Sequence, residues 1–322
     1  MDTDPAGPPD TPGPPDSPAP PITGADSPAP PVTPGSDTPA PPAARPASRT
    51  GRNLPVAIGV GALLGGLVLL TLLTIKATFL IYVGVALGIA LTELAGGLGK
   101  RDIKIPVIPV AAGGLAIGAC MYWLGYGWAL AALGLTVLGI FAWRLPGGAS
   151  GYVKDVTAGI FALIYLPVLA SFVVAMLAPA DGPRRVITFV ILTVCSDIGG
   201  YAAGITLGRG GRHLMAPAIS PKKTWEGFAG SVVAGLIGGA LCLRFLLPGH
   251  VWAGLLTGAA AVFAAILGDL VESMIKRDLD IKDMGSLLPG HGGVLERLDS
   301  LLAAAPVVWV LLYVFIPTRL PR

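Results

Sequence analysis

The stretch VWAGLLTGAAAVFAAILGDLVESMI, residues 251–275, runs for 25 residues with two ionisable side chains, Asp269 and Glu272. As a helix it rises about 38 Å, enough to cross a hydrocarbon core of about 30 Å. It is apolar around its whole circumference, so it has no face suited to water. Eight more stretches of similar length and character lie at residues 54–75, 77–94, 105–124, 126–143, 156–178, 186–207, 228–247 and 300–316. The expected fold is therefore all-α: a polytopic integral membrane helix bundle of about nine transmembrane helices. Junctions such as Lys76 and Gly125 leave room only for tight antiparallel turns, and the many glycines permit close helix contact.

Composition agrees. Of the 322 residues, 53% are hydrophobic and 13% charged, about half the charged share of a soluble domain. A transmembrane barrel would show alternating runs of about ten residues, which excludes that class. Cys120, Cys195 and Cys242 each sit in an apolar run without pairing or metal-binding spacing, so no disulfide framework is expected.

The first 53 residues are different. They repeat Asp16-Ser-Pro-Ala-Pro-Pro21, Asp26-Ser-Pro-Ala-Pro-Pro31 and Asp37-Thr-Pro-Ala-Pro-Pro42, and 17 of the chain's 31 prolines fall before residue 51. Such a segment has too little apolar surface for a core and is expected to be a disordered, proline-rich, cytoplasmic tail with polyproline II character. Its acidic start is unlike a signal peptide. Two domains follow: the tail, 1–53, and the transmembrane domain, 54–322. If the tail is inside, 16 of the 22 lysines and arginines fall on the tail and the inward loops, which puts the N-terminus in the cytoplasm.

Asp197, Asp269 and Glu272 lie within the spans. A charge at the bilayer centre costs roughly 2.5–3.5 kcal/mol, so each needs a partner or a wet cavity. A structural bond between helices would account for Asp197. Asp269, Glu272, Ser273 and Lys276 are spaced i, i+3, i+4 and i+7, which gathers all four on one helix face. Beyond that face, seven of the 13 acids outside the tail fall between residues 269 and 299, alternating with Lys276, Arg277, Lys282 and Arg297. Pro289-Gly290-His291-Gly292-Gly293 sets backbone freedom beside this charge, and glycines there let successive N–H groups turn towards one anion. Carboxylates suit a hard cation such as Mg²⁺, while Lys, Arg and backbone N–H groups take phosphate charge. His213, His250 and His291 have no metal-ligand spacing. The loop Gly208-Arg209-Gly210-Gly211-Arg212 lacks the P-loop pattern. A second basic segment, Ser220-Pro221-Lys222-Lys223-Thr224-Trp225-Glu226-Gly227, joins two spans on the same side.

These segments resemble the integral-membrane phosphatidate cytidylyltransferases, the CDP-diacylglycerol synthases. The resemblance is carried by Ser273, Lys276-Arg277, Lys282-Asp283, Pro289 to Gly293, Glu296-Arg297 and Asp299. Ser220 to Gly227, Asp197 with Tyr201, and Gly268-Asp269 with Glu272-Ser273 match further landmarks. The motifs cover about residues 195–300, the expected catalytic part. One position departs, because the family usually has Asp where this chain has Glu296, and the added methylene bears on a metal that demands near-ideal distances.

The resemblance implies transfer of a cytidylyl group from CTP to phosphatidate, giving CDP-diacylglycerol and pyrophosphate. It implies metal binding by Asp269 together with Glu296, and the full expected metal set is Asp269, Asp283, Glu296 and Asp299. The expected catalytic residues are Asp269, Lys276, Arg277, Asp283, Glu296 and Arg297. Ser220, Lys222, Lys223, Ser273, Lys282, His291, Gly292 and Gly293 are expected to bind substrate, with residues 291–293 cradling the triphosphate. The expected cofactor is Mg²⁺, with a monovalent cation as an optional second ion. CTP, phosphatidate and the bilayer are the expected partners, without nucleic acid, and a homodimer accords with the glycine-rich spans. The expected location is the plasma (inner) membrane with the active site cytoplasmic. A polyprenol or dolichol kinase would instead release CDP. An ion-coupled transporter would show an inverted repeat, which this sequence lacks.

Overall fold

A computed structural model describes residues 54–208, 213–285 and 292–316. The expected disordered tail, the loop at 209–212, residues 286–291 with His291, and the last six residues lie outside the described part, as do the side chains of Pro221 and Lys222.

The chain is a bundle of helices, α1 (Leu54–Leu73), α2 (Lys76–Gly99), α3 (Val107–Trp123), α4 (Tyr126–Arg144), α5 (Tyr152–Leu163), α6 (Leu169–Leu177), α7 (Gly182–Leu207), α8 (Trp225–Phe245), α9 (Val251–Asp278) and α10 (Leu295–Phe315). A π-helical turn at Ile164–Val168, where Pro167 cannot supply its N–H to the ladder, joins α5 and α6 into one pass. The nine apolar stretches thus become nine helical segments among the described residues. Seven helical segments are long and apolar enough to cross a membrane, while the apolar parts Gly61–Leu73 and Val107–Trp123 are shorter. The protein is a multi-pass integral membrane protein. Its outward rows of large apolar side chains, such as Ile81, Leu130 and Ile198, have lipid rather than water to face.

Two apolar cores hold the bundle. One packs Phe79 of α2, Phe189 of α7, Leu243 of α8, Ala261 of α9 and Leu312 of α10. The other packs Leu94 of α2, Ile140 of α4, Leu163 and Leu166 of the α5–α6 pass, and Leu295 of α10. It lies at the end where the charged motifs gather. At the opposite end buried Arg185 donates through Nη2 to the Ile316 carbonyl (2.8 Å) and through Nε to Asp181 (2.9 Å), tying the start of α7 to the end of α10.

Several helix ends differ from the apolar windows. α2 extends past residue 94 to Gly99, α9 past 275 to Asp278, and α10 starts at Leu295 rather than 300. Hydropathy marks where lipid is, whereas a helix continues as long as its backbone bonds are made, so charged turns lengthen it inside the protein. A small antiparallel hairpin, β1 (Leu214–Ala216) with β2 (Ser220–Thr224), adds strand to the expected all-α fold. It contains Pro221 and two lysines, residues of low strand preference, and is closed by context. The Trp225 N–H donates to the His213 carbonyl (3.0 Å), and Thr224 Oγ1 caps α8 by accepting from the Gly227 N–H (3.1 Å).

The position of α10 depends on one small residue. A methyl group on Gly268 of α9 would overlap the carbonyl oxygen of Asp299, so glycine there lets the two helices touch where their carboxylates lie.

Candidate active site

α9 presents Asp269, Glu272, Ser273 and Lys276 along one face, and the first turns of α10 bring up Glu296 and Asp299. One oxygen from each of Asp269, Glu272 and Asp299 lies within 4.8 Å of the others. Glu272 is 1% exposed and Asp299 is also buried. Three carboxylates this close repel one another, and burial raises that cost. Two cations offset it. Lys276 Nζ donates to Glu272 Oε2 (2.6 Å), and Lys223 Nζ on β2 lies 2.5 Å from Asp269 Oδ2, as an ion pair without an aligned hydrogen bond. Among the described residues, Glu272 Oε1 is buried without a hydrogen-bond partner. Three hard oxygen donors with an orphaned lone pair among them fit a divalent cation such as Mg²⁺.

Glu296 has a different place. Its Oε2 accepts from the Gly293 N–H (3.1 Å), and its Oε1 accepts from the Met284 N–H (3.3 Å) and from Lys276 Nζ (3.4 Å). It therefore clamps the two ends of the glycine loop and lies outside the three-carboxylate group. Gly292 has φ +80°, and a Cβ there would overlap Glu296 Oε2, so its lack of a side chain serves both backbone and carboxylate. Asp283 is exposed and also outside the group, as is the exposed Arg297.

Beside the carboxylates lies a polar hollow of ≈ 500 Å³ lined by Ser220, Ser273, Lys276, Arg277, Asp280 and Lys282, with Ile219 and Ile281. The hairpin and the end of α9 thus bring the Ser220 segment and the Lys276 segment together across some fifty residues of sequence. A second cavity of ≈ 420 Å³ is lined by Asp197, Tyr201, Lys223 and Asp269 and by apolar groups including Ile205, Met215 and Phe228. Asp269 and Lys223 border this cavity, and Lys276 borders the first, two turns further along the same face of α9. A third hollow of ≈ 570 Å³ between α2, α3 and Pro167 contains no titratable side chain, and we assign it no chemistry.

Two residues of this arrangement were not placed in it from the sequence. Glu272 was singled out as an intramembrane acid but not as a metal ligand, although its i+3 spacing from Asp269 gave the signal. Glu93, a lone carboxylate near the end of an apolar run, gave none. Its Oε1 accepts from the Val294 N–H (3.1 Å) and its Oε2 from the Leu295 N–H (2.9 Å), so α2 caps the start of α10 from another helix. Gly285 and Gly293 pack directly against it. Glu93→Ala is expected to lower stability by about 1–3 kcal/mol, because two N–H groups at a helix start lose their acceptor. Turnover should fall with it as α10 loses register. Glu93→Gln, which keeps one oxygen, should do less on both counts, as measured by thermal unfolding in detergent beside CTP turnover.

The profile of the Cytidylyltransferase family matches residues 56–315. The chain is 40% identical over 278 residues to a phosphatidate cytidylyltransferase of Mycobacterium bovis, covering 82% of this chain and 90% of the relative. A phosphatidate cytidylyltransferase of Mycobacterium leprae is 39% identical over 284 residues, covering 82% and 89%. One from Bacillus subtilis is 43% identical over 123 residues, 37% of this chain and 44% of that protein.

Proposed function

The chain belongs to the cytidylyltransferase family, and on that premise we propose that it transfers the cytidylyl group of CTP to phosphatidate, releasing pyrophosphate and leaving CDP-diacylglycerol in the membrane. The observation that carries this reading is the trio Asp269, Glu272 and Asp299 set beside a hollow lined by Ser220, Ser273, Lys276, Arg277 and Lys282. Few tasks besides handling a polyphosphate call for both at one end of a membrane bundle.

In the reaction a phosphate oxygen of phosphatidate bonds to the α-phosphorus of CTP, and the bond from that phosphorus to the bridging oxygen of the β-phosphate breaks. The attacking oxygen is already ionised, so no general base is required. Lys276, Arg277 and Lys282 hold the phosphates of CTP in the polar hollow, with Ser220 and Ser273 donating hydroxyl bonds. The Asp197–Lys223–Asp269 cavity, with its apolar walls, takes the phosphatidate headgroup. Asp269, Glu272 and Asp299 would hold Mg²⁺, which when bound neutralises charge on the departing pyrophosphate. Glu296 acts on the loop and on Lys276. Lys222, His291 and Arg297 keep the phosphate-binding roles expected of them, and Asp283 the metal-binding role expected of it.

We further place this end of the bundle at the cytoplasmic face of the plasma membrane, on the distribution of lysine and arginine. A homodimer is proposed as well, to be tested by the molar mass of the purified protein in detergent.

The deciding experiment is incubation of purified protein with CTP, phosphatidate and Mg²⁺, with pyrophosphate and CDP-diacylglycerol both measured. Equal amounts of the two are expected, and release of CDP instead would sink the reading. Chelation of divalent ions should abolish turnover, with Mg²⁺ restoring it. Mg²⁺ at about one hundred times its dissociation constant should also stabilise the wild-type protein by about 2.7 kcal/mol. Glu272→Gln should lose that stabilisation, and an unchanged thermal response in this variant would remove Glu272 from the metal set.

A further inference from the structure

We propose that a further hollow at the same end of the bundle, between the start of α3 and the end of α4, binds the phosphate of an anionic phospholipid headgroup. It has a volume of ≈ 360 Å³ and is lined by Lys104, Ile105, Pro106, Trp143, Arg144 and Gly147. None of these residues is in the family motifs or in either hollow of the candidate active site.

The hollow has a built cationic wall. Asp155 of α5, 2% exposed, sits behind it. One carboxylate oxygen accepts from the Lys104 backbone N–H (2.8 Å) and the other from Arg144 Nε (2.8 Å). Arg144 Nη2 donates to the Ser150 carbonyl (2.9 Å). The guanidinium is thereby fixed by two bonds before any ligand arrives, and the backbone carrying Lys104 is fixed by a third. Asp155 balances the charge of Arg144. The Lys104 ammonium makes no ion pair among the described residues, so the hollow stays positive, and no carboxylate lines it.

A soluble anion needs only those cations, but the remaining walls are apolar. Ile105 and Pro106 line it together with the Trp143 indole, which is 54% exposed and is followed on the chain by exposed Leu145. An exposed tryptophan beside cations at the end of a membrane helix marks headgroup depth. A ligand with a phosphate and an apolar glycerol-ester shoulder fills such a hollow better than phosphate alone. The loop that carries it also reaches the active-site helix, because Arg101 Nη2 donates to the Asp278 carbonyl at the end of α9 (3.3 Å).

The test is native mass spectrometry of the full chain in neutral detergent, titrated with dioleoyl phosphatidylglycerol or dioleoyl phosphatidylcholine. Lys104→Gln keeps the backbone bond to Asp155 and should fold. It is expected to weaken one phosphatidylglycerol-binding step about fivefold, the scale of one lysine at a lipid surface, and to leave phosphatidylcholine binding and CTP turnover in neutral detergent unchanged. Phosphatidylglycerol held in the catalytic hollows would not respond to this substitution. Arg144→Gln should weaken the same step further. The proposal is overturned if wild type and Lys104→Gln retain phosphatidylglycerol equally, or if phosphatidylcholine is lost in parallel. Displacement of the lipid by excess inorganic phosphate would make this a free-phosphate site and overturn the lipid assignment.

Discussion

Asp269→Asn is expected to reduce CTP turnover by at least about 10²–10³-fold, the scale on which a single pre-organised charge contact acts in a transition state, while leaving the protein folded. Asparagine keeps the shape of aspartate and removes its charge. In the absence of a divalent ion that removal relieves repulsion, since Asp269 shares its surroundings with Glu272 and Asp299 within 4.8 Å. The partner it leaves, Lys223, has a buried Nζ but a side chain 21% exposed, so a small rotation along its stem takes the ammonium to solvent once the carboxylate charge is gone. Thermal stability measured without Mg²⁺ should therefore hold or rise as activity disappears. With Mg²⁺ present the wild-type protein gains stability and the variant gains little. Opposite movements of activity and metal-free stability are not what a purely structural aspartate would give. Turnover within tenfold of wild type in the purified variant would defeat the assignment.

How much of this was legible beforehand differs between the helices and the loops. The helices of the membrane domain follow from stretches such as 251–275, because lipid leaves an apolar segment no option but to satisfy its own backbone. The face Asp269–Glu272–Ser273–Lys276 follows from helical spacing alone. What spacing within one helix does not encode is which residues of another helix meet it. Gly268 permits α10 to approach at Asp299, so Asp299 rather than Glu296 lies with Asp269 and Glu272. Glu296, one turn earlier on α10, turns to the Gly293 and Met284 N–H groups instead.

Glu93 shows the same limit more sharply. A carboxylate near the end of an apolar run has many readings, and only the arrival of the α10 start beside α2 selects one. The hairpin at 214–224 likewise has no local signature, yet it sets Ser220 across from Ser273 and Lys223 across from Asp269. Long-range contacts, not composition, complete the site.

Lys276→Met is expected to damage both the fold and the reaction, and the two losses can be separated. Lys276 Nζ is shared by Glu272 (2.6 Å) and Glu296 (3.4 Å), and it also faces the polar hollow. Methionine preserves the length and apolar stem but withdraws the charge. Two carboxylates that are buried in the protein then lose their cation, and removing one partner from a buried pair typically costs about 3–5 kcal/mol. Against a total stability of about 5–15 kcal/mol for an ordinary domain, that is enough to lower the folded yield. Added Mg²⁺ should recover part of the lost thermal stability, because a divalent ion at Asp269, Glu272 and Asp299 replaces the missing positive charge. It should not recover turnover, because the triphosphate still lacks the ammonium in the hollow, and a deficit of about 10²-fold or more is expected to remain. Lys276→Arg keeps the charge but exchanges a compact ammonium for a planar fork, so it should fold better than Lys276→Met while remaining impaired with CTP. If saturating Mg²⁺ returned Lys276→Met to full turnover, Lys276 would be a counter-ion for the carboxylates alone, and the phosphate role assigned to it would fall.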